Sequence, residues 1–438
     1  MTVVCRCLLF VVFSVCLDLN NGVLAQQTWP QWRNQDFSSV GDADLPSEFG
    51  AEKNLLWRVP LPGGGGASPV VAAERVFVTS AAKKNQLALI CFSASGKELW
   101  RDEYKLKTKM KADGATPASP SPITDGKHVW AMMASGELKC LTVDGDLVWS
   151  KNIQEKYGKF NLLFGMSSTP VLHDGKLYLM VIDGDMKAVP RQTSDGQVIC
   201  LDATTGEEQW LHARRTSGTV ECQHSYASPT IYRDGDQALL LIHGADFLTA
   251  HKLDTGDEVW RCGGLNGSGD GYNPTLRFVA SPATGPGRVI VPSAKNGPIL
   301  CLKPDGKGDV TEDESAHVWR MGKGTPDVST PVVHDGIVYL VSKKGIVSAV
   351  DLKDGKSLYR ERLLADKHRS TPVIAGDKMF IAGRDGTIAV LKTGKKFEVL
   401  AKNKLNEDAT ASPAIANNVL YVRTAKALYA FGTKSDSE

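Results

Sequence analysis

Past its first two dozen residues, the 438-residue sequence has no apolar run approaching the roughly 20 residues that span a bilayer. Charge of one sign is equally scarce: 51 Lys and Arg stand against 49 Asp and Glu, a net charge of +2. That balance, with no dense Lys/Arg run, provides no long-range field to hold nucleic acid or an anionic membrane surface. Nucleic acid is therefore not an expected partner. A phosphate loop is missing too, because residues 62–66 (PGGGG) lack the Gly-Lys-Ser/Thr ending and the helix that such a loop requires. They read as a flexible lead into the strand-forming residues after them. No amphipathic helical period is present.

The first 25 residues differ in kind from the rest. Arg6 precedes an apolar stretch at residues 8–17, and Val23-Leu24-Ala25 ends it, which reads as a secretory signal cut after Ala25. Lipid modification at Cys16 is the weaker alternative, because Val15 is larger than the small residue expected before a lipidated cysteine. The chain is expected to be exported, to the periplasm or the extracellular space, with no transmembrane segment once the signal is removed.

A short phrase, small-small-Pro, recurs eight times, with prolines at 69, 122, 170, 229, 282, 331, 372 and 413. The spacings run from 41 to 59 residues, the period of propeller blades built from short strands. Each copy continues with apolar residues and a tight turn, often Asp-Gly as at Asp125-Gly126 and Asp335-Gly336, which suits a hairpin. An alternating strand follows, such as KLYLMV at residues 176–181, then a third strand and a Gly-marked turn. An aromatic comes four residues after that glycine, as Trp100 follows Gly96 and Trp210 follows Gly206. Trp319 is delayed by an acidic insertion at residues 311–315. The last copy ends without its aromatic strand, and an unclaimed one, Leu55-Leu56-Trp57-Arg58-Val59, precedes the first copy. The reading is an all-β, eight-bladed propeller of four-stranded antiparallel blades, its N-terminal strand completing the last blade and so hiding two sheet edges. Its expected parts are a signal at 1–25, an extension at 26–50, the propeller at 51–433 and a tail at 434–438. A closed ring of this kind is expected to be a monomer.

Three of nine cysteines (Cys5, Cys7, Cys16) lie in the signal. Cys91, Cys140, Cys200 and Cys301 share one column of the repeat with Ala250, Ala349, Ala389 and Ala430, so they are expected to serve as small packing residues. Cys222 and Cys262 fall in connecting segments, and whether they form a disulfide is left open.

The segments STPVVHDGIVYLVSKKGIVSAVDLKDGKSLY and YASPTIYRDGDQALLLIHGADFLTAHKLDTGDEVW resemble the pyrroloquinoline-quinone-like propeller repeat over nearly the whole mature chain. The resemblance implies the fold more than the function. One branch of that family consists of quinoprotein alcohol dehydrogenases, which would imply the quinone with calcium at the ring's centre. The other consists of non-catalytic propellers, among them outer-membrane assembly factors. The dehydrogenases carry an adjacent cysteine pair over the cofactor and are longer, and this sequence has neither feature. A binding scaffold for an envelope protein or a small ligand at the channel mouth is the leading reading, with a quinoprotein alcohol or sugar dehydrogenase as alternative.

Ligands of propellers enter at the channel mouth, beside the loop that precedes each innermost strand. Counting back from each proline gives His224, Tyr226, Arg277, Asp327, His368, Arg369 and Asp408 as candidate rim residues, alongside glycines 64–66, residues 165–167 and Lys367. His, Asp and Arg together could bind an anion or orient a proton transfer. Asp327 and Asp408 form the only carboxylate pair for a carbohydrate-binding or hydrolytic reading. Asp183-Gly184-Asp185 reads as a turn, since two carboxylates fall short of calcium's six to eight oxygens. Residues 263–273 and 157–165 are long connections. In the latter, Phe160, Leu162, Leu163 and Phe164 could dock a protein or plug the channel. Trp29-Pro30-Gln31-Trp32-Arg33 is expected to pack on the ring's outside.

Overall fold

The computed structural model describes residues 28–34, 38–41, 43–82, 86–105, 117–184, 194–365 and 367–433. The signal at 1–25, the tail at 434–438 and Asp185 lie outside the described residues. Eight sheets form the ring, in chain order from blade one, whose strands are Val70–Ala72, Arg75–Ala81, Gln86–Ser93 and Glu98–Lys105 from the axis outward. Blade eight is assembled from both chain ends. Leu55–Pro60 pairs antiparallel with Ala427–Phe431, with Trp57 opposite Ala430 and Val59 opposite Leu428. The N-terminal strand thus closes the ring, as its unclaimed aromatic implied. Among the described residues the helical content is one short α-helix, Ile153–Tyr157, and two 3-10 turns, and no helix is long and apolar enough to cross a membrane.

Every repeat feature has a packing cause. The second and third strands of each blade are buried on both faces by neighbouring blades, so they read as apolar runs (Val338–Leu340, Ile388–Leu391), whereas outer strands such as Leu55–Pro60 alternate. The register between third and outer strand slips by one residue in all eight blades, at the aromatic position where there is one. A bulge of this kind re-aims a side chain. It leaves Leu56, Leu99 and Val148 unpaired and exposed, and turns the next residue, the tryptophan, toward the following blade. There the indole lies against a turn glycine. A Cβ on Gly96 would meet Trp57 at 2.7 Å, and one on Gly256 would meet Trp210 at 2.5 Å. The indole Nε1 donates to a carbonyl of the same turn: Trp57 to Ala94, Trp100 to Val143, Trp149 to Ala203, Trp210 to Leu253, Trp260 to Pro304 and Trp319 to Leu352, at 2.7 to 3.1 Å. Across the sheet the aromatic faces the small column: Cys91 opposite Trp100, Cys140 opposite Trp149, Cys200 opposite Trp210, Cys301 opposite Trp319. A larger residue there would collide with the indole, so cysteine is present as a small apolar group.

Blade seven has Ala401-Lys402 where the aromatic would stand, and the extension fills that junction instead. Phe49 lies 4.6 Å from the ring of Phe431 and 6.5 Å from that of Phe380. Asn403 ties it down, accepting from the Phe49 N–H at 3.0 Å and donating to the Ser47 carbonyl at 2.9 Å. Just ahead of the acidic insertion, Gly308–Asp309 adds a parallel fifth strand to the outer edge of blade four. The six cysteines among the described residues are buried free thiols. Cys222 and Cys262 are not bridged; the Cys222 thiol instead donates to the Asn273 carbonyl.

The small-small-Pro phrase forms a hoop about the axis. Each Ser or Thr N–H donates to the hydroxyl of its counterpart in the next blade: Ser68 to Ser121, then to Thr169, Ser228, Ser281, Thr330, Thr371 and Ser412, seven bonds of 2.9 to 3.1 Å. Such bonds contribute about 1 kcal/mol each. The phrase is a blade-to-blade clasp, and that need, as much as crowding, selects Ser and Thr.

One expectation is corrected. Residues 29–33 do not pack on the outside; they cross the inside of the ring. Trp29 exchanges two backbone bonds with Val71 of blade one, and the Pro30 carbonyl accepts from Thr124 of blade two. The Gln31 side chain accepts from the Leu172 N–H of blade three. Arg33 donates to the Pro282 carbonyl at 3.0 Å and the Thr230 hydroxyl at 2.8 Å, while Ser39–Val40 pairs parallel with Val373–Ala375 of blade seven. The inner strands have free edges facing the axis, and a chain that crosses there satisfies them.

Candidate functional site

The crossing segment divides the channel. A cavity of about 430 Å³ opens at the mouth end, above the hydroxyl hoop, and a second of about 280 Å³ lies at the opposite end beside the Asp-Gly turns. Trp32 lines both. Its indole N–H points to the Ser412 hydroxyl at 3.4 Å, so it floors the mouth cavity. Arg33 beside it is fully buried and its guanidinium is 4.8 Å from the Trp32 ring; burial lowers its pKa to about 10.

The walls come from loops at one end of the ring. Tyr226 and Phe164 form an aromatic side, with ring centroids 5.9 Å apart and the Tyr226 hydroxyl accepting from the Phe164 N–H at 3.2 Å. Burial pushes the Tyr226 hydroxyl up to about 12. Arg277 lies over the Phe164 ring at 4.6 Å while paired with Glu221 at 2.9 Å. Lys295, Asp327, Lys343 and Arg369 also line the cavity. Asp327, held at φ 73°, accepts the Lys295 N–H at 3.0 Å and so braces that turn. Burial, and then the nearby Arg384, hold the Arg369 guanidinium below its usual range.

Of the seven residues expected at the rim, Tyr226, Arg277, Asp327 and Arg369 line this cavity, and His224, His368 and Asp408 do not. His224 is buried with its Nε2 3.0 Å from the Gly184 carbonyl. His368 is buried too, its backbone N–H donating to the Lys343 carbonyl, and burial lowers its pKa to about 4. Asp408 is exposed away from the cavity and its carbonyl caps Ala425, so Asp327 has no facing carboxylate there. Counting from the proline missed Lys295, Lys343 and Trp32. The two lysines sit on turns between second and third strands (Lys295-Asn296-Gly297, Lys343-Lys344-Gly345), which point to the same end and could have been read from the repeat alignment. The apolar cluster at 160–164 splits: Phe160 and Leu162 pack on the core of blades two and three, Leu163 is exposed, and Phe164 joins the wall.

These residues do not fit the quinone with calcium. Calcium needs six to eight oxygens, including carboxylates. The mouth offers one carboxylate, already bonded to a backbone N–H, and among the described residues no three His, Cys, Asp or Glu come together as a metal site. The arrangement suits binding: a hydroxyl-floored bowl with an aromatic side and four cations in its lining.

The chain matches the family described as outer membrane protein assembly factor BamB, over residues 37–190, 89–358 and 244–438. Among curated relatives, the protein of that name from Burkholderia pseudomallei is 24% identical over 390 residues, covering 84% of this chain and 85% of its own. The one from Salmonella typhimurium is 24% identical over 314 residues, covering 69% and 70%. Among solved structures, BamB from Moraxella catarrhalis superposes with a TM-score of 0.60 at 16% identity, covering 88% of this chain and 98% of that one. Quinohemoprotein alcohol dehydrogenase from Comamonas testosteroni gives 0.66 at 13% identity, covering 94% and 82%. At such identities these structural likenesses concern the fold alone. The three overlapping family matches span all eight blades, and the chain belongs to the family of outer membrane protein assembly factor BamB.

Proposed function

We propose that this protein is an exported, non-catalytic propeller that binds a protein of the cell envelope through the mouth of its ring. The observation that carries the reading is membership of the assembly-factor family across the whole ring. The bowl supports it: its side chains are arranged to hold a ligand, and among the described residues no metal set and no second carboxylate lines it. The closed ring acts as a rigid monomer, and export follows from the signal-like start.

The test is affinity capture of the mature protein, crosslinked in envelope extracts, with partners identified by mass spectrometry. A reproducible envelope protein is expected. Dye-linked alcohol or sugar oxidation by the pure protein loaded with pyrroloquinoline quinone and calcium would overturn the reading, as would capture of nothing above background.

A further inference from the structure

The smaller cavity, about 280 Å³ between the crossing segment and blades two to four, is lined by two buried side chains whose donors are not all used. Arg33 is only 6% exposed, and burial lowers its pKa to about 10, which leaves it charged at neutral pH. Of the five N–H hydrogens a guanidinium carries, one goes to the Pro282 carbonyl and one to the Thr230 hydroxyl. The other three, the Nε hydrogen among them, have no acceptor, and no carboxylate pairs with the group among the described residues. Gln31, 7% exposed, lines the same cavity. Its Oε1 accepts from the Leu172 N–H, which fixes the amide's orientation and leaves Nε2 without an acceptor among the described residues. A buried charge is strongly destabilising unless an anion meets it. Arg214 and Arg423 are also buried without a carboxylate, but they line neither cavity: Arg214 makes three bonds, and the Gly65 backbone lies against the Arg423 guanidinium. The cavity's remaining lining includes apolar Trp32, Pro170, Val171 and Ile231, and the exposed Asp125, Asp174 and Arg233 mark its outer end.

We propose that this cavity is a binding site for a small monocarboxylic acid with an apolar body. The carboxylate takes the unused N–H groups of Arg33 and the Gln31 amide, and the body lies against Trp32, Val171 and Ile231. A planar carboxylate meets a guanidinium two bonds at a time, a match that a spherical ion lacks. The volume is that of about nine waters at about 30 Å³ each, so the ligand has about ten non-hydrogen atoms. A second negative charge on it would face Asp125 and Asp174, which disfavours dicarboxylates and phosphate. The C-terminal carboxylate of a peptide offers the same group, but its backbone amides would lie unpaired against the apolar lining, so a free acid is the ligand assigned. The site is separate from the mouth and does not depend on the protein partner proposed above.

The test is fluorine NMR of protein lacking residues 1–25, titrated at pH 7 with 4-fluorobenzoate and, as its neutral counterpart, 4-fluorobenzamide. Sulfate and the tripeptide acetyl-Ala-Ala-Phe serve as competitors. The acid is expected to bind at least tenfold more tightly than the amide and to resist displacement by equimolar sulfate. Arg33→Gln should weaken it at least tenfold. At the exposed outer end, Arg233→Glu should weaken it about threefold and Asp174→Asn should tighten it about twofold, opposite signs that mere loss of folding would not produce. Lys97→Glu, exposed on blade one, should change it less than twofold. Should Arg33→Gln fail to fold, the two outer variants carry the test. Equal binding of acid and amide, no binding of either, or indifference to Arg233→Glu and Asp174→Asn would overturn the proposal. Displacement by equimolar sulfate would reduce the site to one for any anion, and tighter binding of the tripeptide would assign it to a chain end; either result also overturns it.

Discussion

Trp57 offers the sharpest energetic test of ring closure. It belongs to the N-terminal strand yet makes the same contacts as a tryptophan inside the chain. Its ring lies on Gly96 and 5.9 Å from Tyr421, and its Nε1 donates to the Ala94 carbonyl at 2.7 Å. Trp149, between blades two and three, lies on Gly206 and donates to Ala203 at 3.0 Å. Truncating a buried tryptophan to alanine costs about 3–5 kcal/mol. Both rings are partly exposed, so about 3 kcal/mol is expected for each of Trp57→Ala and Trp149→Ala. Over 438 residues, at about 2.1 cal/mol/K per residue, that corresponds to a melting point about 3 °C lower. Circular dichroism melts of the two variants should therefore shift together. If Trp149→Ala lowers the melting temperature and Trp57→Ala does not, the N-terminal strand is not holding blade eight to blade one.

Three further outcomes rest on burial. The six described thiols are pushed up to about 11 or 12 by burial, so in protein lacking residues 1–25 Ellman's reagent at pH 8 should find none when native and six after unfolding; a native reactive thiol would contradict the packing. His243 and His251 are depressed by burial to about 3 and His368 to about 4, so each is neutral when folded and takes a proton on unfolding below its ordinary 6.5. Stability should fall as pH drops from 6.5 toward 4, by about 2 kcal/mol per histidine at pH 5, and a pH-independent melting temperature across that window would refute it. Gly65 has no room for a methyl group, since its Cβ would lie 2.1 Å from the buried Arg423 guanidinium. Gly65→Ala should destabilise the protein by more than about 1 kcal/mol, and full stability would show that the glycine-rich lead yields freely.

What the sequence disclosed was whatever repeats. Eight copies of one phrase, an aromatic at fixed distance from a glycine and a small residue in the third strand each reflect a contact made once per blade, so they recur in register. The crossing of residues 29–34 and 38–40 occurs once, between segments up to 380 residues apart such as Trp32 and Ser412, and leaves no period to detect. At the rim, position along the loop was legible and side-chain direction was not. Tyr226 and His224 are two residues apart, yet Tyr226 lines the bowl and His224 turns inward to the Gly184 carbonyl. Lys343 escaped because it lies on a turn of the blade and not on the loop before the proline. The phrase itself was legible as a brick, but its chemistry was not: a hydroxyl accepting from the neighbouring blade looks in sequence like any small residue.

The central structural claim is that residues 28–34 and 38–40 lie within the ring, flooring the bowl, and that residues 55–60 close the last blade. Hydrogen exchange read by mass spectrometry tests it in one experiment. The Trp29 and Val71 amides, which bond each other's carbonyls, the Ile374 amide on Ser38 and the amides of 55–60 should exchange as slowly as those of the blade strands. Exchange of peptides covering 28–60 at the rate of a free chain, with blades one to seven still protected, would contradict it.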